Sequence, residues 1–389
     1  MSTEPPCAAT QPLIVLVAGE QSGDSLGAQL IDALRERLPG ARFAGIAGPK
    51  MIAAGCDPWA RAEELAVMGL FEVLPELPRL LRIRRTLIER VLRERPVVYI
   101  GVDFKEFNLS VARKLKDAGI KTVQYVSPQI WAWRQGRVQK IARAIDLMLC
   151  LLPFEKPFYD EHRVDARFVG HPLADRIPMD VDRSAARREL SLAANRPCVA
   201  LLPGSRRGEV SRLADDFART IAWLSAKKPE LQFIAAMANA EARDFFAGVL
   251  ARENLTGKVT MVDGQSQTAM AASDVVLLAS GTATLEATLV KRPMVVVYRL
   301  GWLTSLLLRQ FGMMKAPFFS QPNLLAGKEW VPEYFNESVS AETLGPAILR
   351  QLDRPDGAEM LAAFTAIHQT LRRDASRQAA AAIAELIAR

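Results

Sequence analysis

Two glycine loops, each directly after an apolar run, gather the side chains best suited to chemistry. One is Cys198-Val-Ala-Leu-Leu-Pro-Gly-Ser-Arg206 and the other is Val275-Val-Leu-Leu-Ala-Ser-Gly-Thr-Ala-Thr-Leu-Glu286. Each reads as a buried parallel strand ending in a turn that opens a helix. Backbone N–H groups at such a turn lie at the positive end of the helix dipole, where phosphate oxygens bind. Gly204, Ser205 and Arg206 form the first loop, and the Arg206 guanidinium adds a fork of donors for a diphosphate. Ser280, Gly281 and Thr282 form the second, and Glu286 lies four residues after Thr282, on the same face of a helix. A carboxylate there can accept hydrogen bonds from two neighbouring ribose hydroxyls. Diphosphate, ribose and guanidinium together point to a nucleotide-sugar pocket. Either loop alone could be an ordinary α/β turn; the pair with Glu286 carries the reading.

The first half of the chain offers a candidate base. Asp103 follows the apolar run Val97-Val-Tyr-Ile-Gly-Val102, which places it at the carboxyl end of a parallel strand. A carboxylate at that edge can take the proton of an acceptor hydroxyl; the alternative is a helix cap. Phe104-Lys-Glu-Phe-Asn108 comes next. Further on, Ser127-Pro-Gln-Ile-Trp-Ala-Trp-Arg134 sets Trp131, Trp133 and Arg134 after another strand, with Arg137 close behind, suited to a wall for a sugar ring or a phosphate clamp, or else to core packing. Gly19, Gly23 and Gly27 recur every four residues, so they do not make the G-x-G-x-x-G dinucleotide fingerprint. Beside them Glu20 and Ser22 offer polar edges to a ligand, and Asp24 reads as a cap of its helix.

These residues need a scaffold, and the pattern supplies an α/β one. Strands are expected over 13–18, 97–102, 122–126 and 147–152, and the same grammar restarts at Cys198 with strands over 231–235, 259–262, 275–279 and 294–298. Two Rossmann-like lobes with parallel sheets facing a central cleft is the simplest architecture for 389 residues. The join is expected where Pro172, Pro178 and several charges mark a connector, giving lobes over 1–178 and 179–359 and an alanine-rich closing helix over 360–389.

Composition bounds the rest. Half the residues are hydrophobic, as in a soluble globular enzyme. Cys7, Cys56, Cys150 and Cys198 are scattered, which suits a reducing cytoplasm and speaks against structural zinc. His162, His171 and His368 show no ligand spacing, so neither a metal site nor a cofactor is expected. The start of the chain lacks a basic n-region, so no signal peptide is expected. The nearest approach to a membrane span, 302–319, is broken by Arg309 and Lys315. A net charge of +7 suits an anionic partner. No zinc-finger or RNA-binding motif accompanies it, so nucleic acid is not expected.

One segment points to a membrane surface. Leu65-Ala-Val-Met-Gly-Leu-Phe-Glu-Val-Leu74 is apolar, prolines stand at 75 and 78, and the helix expected over 79–95 holds seven arginines against two glutamates. Val67, Met68, Leu70 and Phe71 would enter the acyl boundary while Arg79, Arg82, Arg84 and Arg85 meet anionic head groups. An ordinary helix with a solvated charged face is the alternative.

Together these blocks resemble the lipid A disaccharide synthase family of bacterial glycosyltransferases. The likeness runs from Val17-Ala-Gly-Glu-Gln-Ser-Gly-Asp24 through Gly45-Ile-Ala-Gly-Pro49, Glu64-Leu-Ala-Val-Met-Gly69, Ser127–Arg134, Leu151-Leu-Pro-Phe-Glu155 and Phe168-Val-Gly-His171. It continues over Leu202–Arg206 and Ala279–Ala283 to Gln321-Pro-Asn-Leu-Leu-Ala-Gly327. The resemblance implies a GT-B fold and an inverting transfer of a diacylglucosamine from UDP to the 6-hydroxyl of 2,3-diacylglucosamine 1-phosphate, forming a β-1′,6 linkage. It implies donor contacts from the two glycine loops, Glu286 and Asn323, Asp103 as base, and Glu20, Ser22, Asn108 and the tryptophan segment near the acceptor. It also implies a cytoplasmic enzyme, peripheral on the inner membrane, that is metal-independent, and it leaves a homo-oligomer open. Where members read Gly-Ile-Asp-x-Pro-Asp-Phe-Asn, this chain has Gly101-Val-Asp-Phe-Lys-Glu-Phe-Asn108, so Lys105 replaces proline and Glu106 the second aspartate. Gln129 also stands where a small residue is usual. The rival readings are a UDP-N-acetylglucosamine 2-epimerase and an inactive membrane-surface protein that keeps the nucleotide pocket.

Overall fold

The computed structural model describes residues 11–65, 73–133, 135–300, 317–354 and 357–389. They divide into two compact units, one of Met1–Asp175 with Leu371–Arg389 and one of Arg176–Thr370.

The first unit is built on a parallel sheet of β1 (Leu13–Ala18), β2 (Arg42–Ala47), β3 (Cys56–Arg61), β4 (Val98–Val102), β5 (Thr122–Tyr125), β6 (Leu147–Cys150) and β7 (Ala166–Phe168), in the order β3-β2-β1-β4-β5-β6-β7. Its central strands read as unbroken apolar runs because helices cover both faces. Ile14, Val15, Leu16 and Val17 are all fully buried, two facing each side. The edge strand β3 was not legible as a strand, since Asp57, Pro58 and Arg61 interrupt it. Proline is tolerated only at such an edge.

The second unit repeats the plan with β8 (Cys198–Leu202), β9 (Gln232–Met237), β10 (Val259–Asp263), β11 (Val275–Ala279), β12 (Met294–Tyr298) and β13 (Glu333–Phe335), all parallel in the order β10-β9-β8-β11-β12-β13. Its core forms where the 207–227 helix lays Val210, Leu213, Phe217 and Ile221 against the sheet.

Two segments differ from expectation. In place of one closing helix over 360–389 there are two, Gly357–Leu371 and Ala375–Ala388, parted at Asp374, whose φ of +58° stops the first helix from continuing. The second helix buries Ala379, Ala380 and Ile383 in the core of the first sheet. The basic helix spans Val73–Glu94 and takes in both prolines: Pro75 lies in the first turn, which does not need its N–H, whereas Pro78 lies inside the helix and leaves out one N–H of its ladder. Leu87 and Val91 pack into the core, while Leu77 and Leu81, one turn apart, are 42% and 43% exposed. Val67, Met68, Leu70 and Phe71 lie outside the described residues. Among the described residues no helix is long and apolar enough to cross a membrane.

Candidate functional site

In the first sheet the strand order reverses between β1 and β4, which pair through Ala18 and Val102. Helices leave such a pair on opposite faces, so the loops beyond them part and open a crevice. Gly19 ends β1 and has no room for a side chain: a Cβ would come within 2.5 Å of the Phe104 ring. Asp103 and Phe104 end β4 with φ of +50° and +36°, a left-handed pair that non-glycine residues adopt at a cost of about 1–3 kcal/mol each.

Buried amides hold that turn. The Asp103 N–H donates to the Tyr125 carbonyl at 2.9 Å. Its carbonyl accepts from Asn108 Nδ2 and from Gln124 Nε2, both at 3.0 Å. Asn108 Nδ2 also donates to the Val17 carbonyl at 3.2 Å, and its Oδ1 accepts from the Tyr99 hydroxyl at 3.0 Å. One side chain thus ties the end of β1 to the turn after β4. The Asp103 carboxylate lies 3.2 Å from Lys105 Nζ and accepts from Ser22 Oγ at 3.4 Å. It lines a cavity of about 420 Å³ together with Glu20, Lys105, Glu106, Gln129 and Arg137. Glu106 is paired with Arg137 at 2.6 Å and is well exposed. Nearby, Glu155 is buried and accepts from the Leu152 N–H at 3.0 Å. Burial pushes its carboxyl up to about 7, against the pull of the Leu152 amide, the Ser127 hydroxyl and the Lys105 charge.

The second sheet reverses between β8 and β11, paired through Leu202 and Leu278, and both glycine loops meet there on a cavity of about 510 Å³. Gly204, Ser205, Arg206, Ser280, Gly281, Thr282 and Glu286 all line it. Gly204 has a φ of +134°, and a Cβ on it would meet Glu209 Cβ at 2.7 Å. Glu209 closes part of the first loop, for its carboxylate accepts from the Ser205 N–H at 3.1 Å and the Arg206 N–H at 3.5 Å. Those two amides are therefore not free, contrary to expectation. Open anion contacts remain at the Arg206 guanidinium, which is exposed and has no hydrogen bond or ion pair among the described residues, and at the other loop. Thr282 and Ala283 open the helix Thr282–Leu289, whose first-turn N–H groups meet no carbonyl of their own helix. Ser280 Oγ donates to the Phe319 carbonyl at 3.3 Å. Glu286 accepts from Ser266 Oγ at 3.2 Å, and burial pushes its carboxyl up, opposed by Ser266 and Arg176.

The two cavities gather most of the expected residues, with corrections. Asn108 and Asn323 are wholly buried and line neither cavity. Asn323 donates to the Val331 carbonyl and Glu333 Oε1 at 2.8 and 2.9 Å and accepts from the Trp330 and Val331 N–H groups at 2.8 and 3.0 Å, so it is a cross-brace of the fold. Trp131 is half-buried and packs edge-on against Phe154 at 4.7 Å, outside the Asp103 cavity lining. Of Trp133 only the backbone is described, and Arg134 lies outside the described residues. Asp24 caps, but not its own helix: its carboxylate accepts from Lys50 and Met51 at 2.9 and 3.0 Å, at the start of the Pro49–Ala53 helix. The Asp103 carboxylate does not cap the following helix, whose N-cap residue is Phe104 with no side-chain cap bond. Arg137, named in the sequence beside Arg134, lines the Asp103 cavity. Glu209 and Ser266 were not singled out from sequence. Only Glu209 carried a signal, three residues after Arg206 in the first turn of a helix. Among the described residues no group of three or more His, Cys, Asp or Glu could hold a metal ion.

Comparison with known proteins follows the same lines. A family model described as lipid-A-disaccharide synthetase matches residues 14–386. A lipid-A-disaccharide synthase of Xanthomonas campestris pv. campestris (strain 8004) is 50% identical over 379 residues, covering 97% of this chain and 86% of the relative. One from Alcanivorax borkumensis is 49% identical over 378 residues, covering 97% and 98%. Among solved structures, the glycotransferase of kitacinnamycin has a TM-score of 0.65 at 17% identity, covering 97% of this chain and 99% of that one. A UDP-GlcNAc 2-epimerase from Neisseria meningitidis, bound to UDP-GlcNAc, has a TM-score of 0.58 at 13% identity, covering 92% and 98%. The fold is that of the GT-B glycosyltransferases.

The raised Glu155 carboxyl sets a pH test. The native chain keeps this proton up to about pH 7, whereas the unfolded chain releases it near the ordinary value of 4.5. The native state thus binds more protons between those values, so the stability held by the neutral acid falls as pH rises through them. Glu155→Gln keeps an oxygen for the Leu152 N–H and removes the titration. Its stability relative to the native protein's should rise by about 2–4 kcal/mol between pH 5 and pH 8, read as a growing difference in melting temperature. Parallel melting profiles for the two proteins would contradict this.

Proposed function

Since this chain belongs to the lipid-A-disaccharide synthase family and is a glycosyltransferase that makes the lipid A disaccharide, we propose that Asp103 is its general base and that the β8/β11 cavity holds the UDP of its donor. The substrates are UDP-2,3-diacylglucosamine and 2,3-diacylglucosamine 1-phosphate. Asp103 takes the proton of the acceptor's 6-hydroxyl as that oxygen attacks the anomeric carbon of the donor. UDP departs from the opposite face, and the configuration inverts to a β-1′,6 linkage. Arg206 and the first-turn amides at Thr282 and Ala283 stabilise the charge growing on the diphosphate, and Glu286 accepts from the ribose hydroxyls. Cationic side chain and helix end supply the counter-charge, so no metal is called upon. The epimerase reading gives way to the family match; the Neisseria meningitidis epimerase shares the fold at only 13% identity.

The observation that carries the proposal is the turn at Asp103: a strained left-handed pair, braced by a buried asparagine, that presents a carboxylate to a cavity at the strand reversal. Asparagine also tolerates this backbone conformation, so Asp103→Asn keeps the turn. Turnover should fall by roughly 10²–10⁴-fold with UDP affinity and melting temperature unchanged. Glu106→Gln, which breaks an exposed pair with Arg137, should cost far less. A fully active Asp103→Asn enzyme would leave Glu20, on the same cavity, as the base to test.

Nucleotide affinity tests the second cavity. Arg206→Ala and Glu286→Ala should each weaken UDP binding by about 1.5–3 kcal/mol in calorimetry, the first through a lost charge-assisted contact and the second through the ribose. Unchanged affinity in both would remove the assignment.

The protein binds the cytoplasmic face of the inner membrane through the 67–85 segment. Exposed Leu77 and Leu81 beside Arg79, Arg82, Arg84 and Arg85 support this placement, since apolar side chains and cations on one short stretch suit an anionic bilayer surface. Leu77→Gln with Leu81→Gln, or glutamate at the four arginines, should release the protein from anionic vesicles without lowering its melting temperature. Added salt should weaken binding of the native protein. A native protein that ignores such vesicles at low salt would refute the attachment.

A further inference from the structure

A second cavity of about 440 Å³ adjoins the one at Asp103, and Glu106, Pro128, Ile130 and Arg137 line both. Its floor is apolar, with Leu109 from the helix Lys105–Asp117 and Ile141 from the helix Val138–Ala142. Its polar lining is cationic: Arg113, Arg137, Lys140 and Arg143 against the single acid Glu106.

These four cations are not equivalent. Arg137 is bound to Glu106 at 2.6 Å. Arg113 is bound to Asp117 at 2.9 Å and donates to the Arg143 carbonyl at 3.3 Å, bracing the end of the short helix. Lys140 and Arg143 are exposed, and among the described residues their side chains have no hydrogen bond or ion pair. Arg137, Lys140 and Arg143 follow one another at intervals of three, so they form one stripe along a helical turn. Like charges aligned in this way repel, and the arrangement gains when an anion joins them.

We propose that Lys140 and Arg143 form the subsite for the 1-phosphate of the acceptor sugar. This rests on Asp103 as the base for the 6-hydroxyl. In a glucosamine 1-phosphate the carbon that bears the hydroxymethyl group and the carbon that bears the phosphate are both bonded to the ring oxygen, so hydroxyl and phosphate project from one edge of the ring to neighbouring places. A sugar with its hydroxyl at Asp103 can therefore set its phosphate beyond Arg137, in the adjoining cavity that shares this residue. Two unpaired cations beside a committed one suit a phosphate dianion, and the apolar floor suits the face of the ring.

The test compares the native enzyme with Lys140→Ala/Arg143→Ala in neutral detergent micelles, on the phosphorylated acceptor and on the same acceptor lacking its phosphate. The double variant should raise the acceptor's KM by about 10-fold or more, the loss of a strong charge-assisted contact. The donor's KM and the melting temperature should stay unchanged. On the dephosphorylated acceptor the two enzymes should perform alike, and Lys140→Arg/Arg143→Lys should recover most of the lost affinity. An unchanged KM, or an equal loss on both acceptors, overturns the proposal. So does a loss seen only when anionic vesicles replace the micelles, which would make the pair a head-group contact. Asp103→Asn is read on kcat and this pair on the acceptor's KM, so the base assignment and the phosphate subsite fail separately.

Discussion

Reversal of strand order is the constraint on which the rest of this molecule depends. A parallel strand must be followed by a crossover that packs on one face of its sheet. Where neighbouring strands send their crossovers to opposite faces, the loops at their carboxyl ends cannot close on each other. β1 and β4 make that pair in one sheet, and β8 and β11 make it in the other. Gly19 and Asp103 follow the first pair, and the Gly204 and Gly281 loops follow the second. Every group assigned a chemical role stands at or beside one of these two gaps, and the remaining strands and helices hold the gaps open.

Position at a gap is not enough for catalysis, because a loop residue must also be held. At Asp103 the holding is done from beneath. Two consecutive left-handed residues would relax if their amides and carbonyls could find other partners, but the Asp103 carbonyl is fixed by two side-chain amides and its N–H by Tyr125. Asn108 gives the clamp its reach, since the same amide group also binds the last turn-side carbonyls of β1 and β4. The second unit uses another device. Glu209 satisfies two loop amides with a carboxylate, leaving a guanidinium and a helix start for the proposed phosphate. A rigid carboxylate and a partly open pair of loops suit the separate tasks proposed for them, one needing a fixed lone pair and the other a place that a ligand can enter and leave.

What could be read from the sequence follows from burial. β1, β4, β8 and β11 lie inside their sheets with both faces covered, so each is an apolar run that ends abruptly in polar residues, and both strand and candidate site are visible there. β3 and β13 lie at sheet edges, one carrying Pro58 and the other three residues long, and neither leaves a pattern. Polar residues were harder to place. Asn108 and Asn323 looked like ligand contacts because a polar side chain near a strand end has two equally simple uses, facing the ligand or bracing the backbone. Only the fold shows which carbonyls are in reach. Arg137 was legible as a cation beside the tryptophan segment, but its pairing was not, because the partner, Glu106, is 31 residues away.

The helix Ala375–Ala388 has a consequence for synthesis of the chain. It completes the core of the first unit, yet it is made after all of Arg176–Thr370. On the ribosome the second unit, being continuous, can collect its entire core as it emerges. The first unit emerges earlier but must wait, with Leu34 and its neighbours on the 21–37 helix lacking the cover of Ile383 until the last turns appear. Order of translation and order of completion are therefore reversed in this protein, and a nascent first unit is a natural client for a chaperone that shields apolar helix faces.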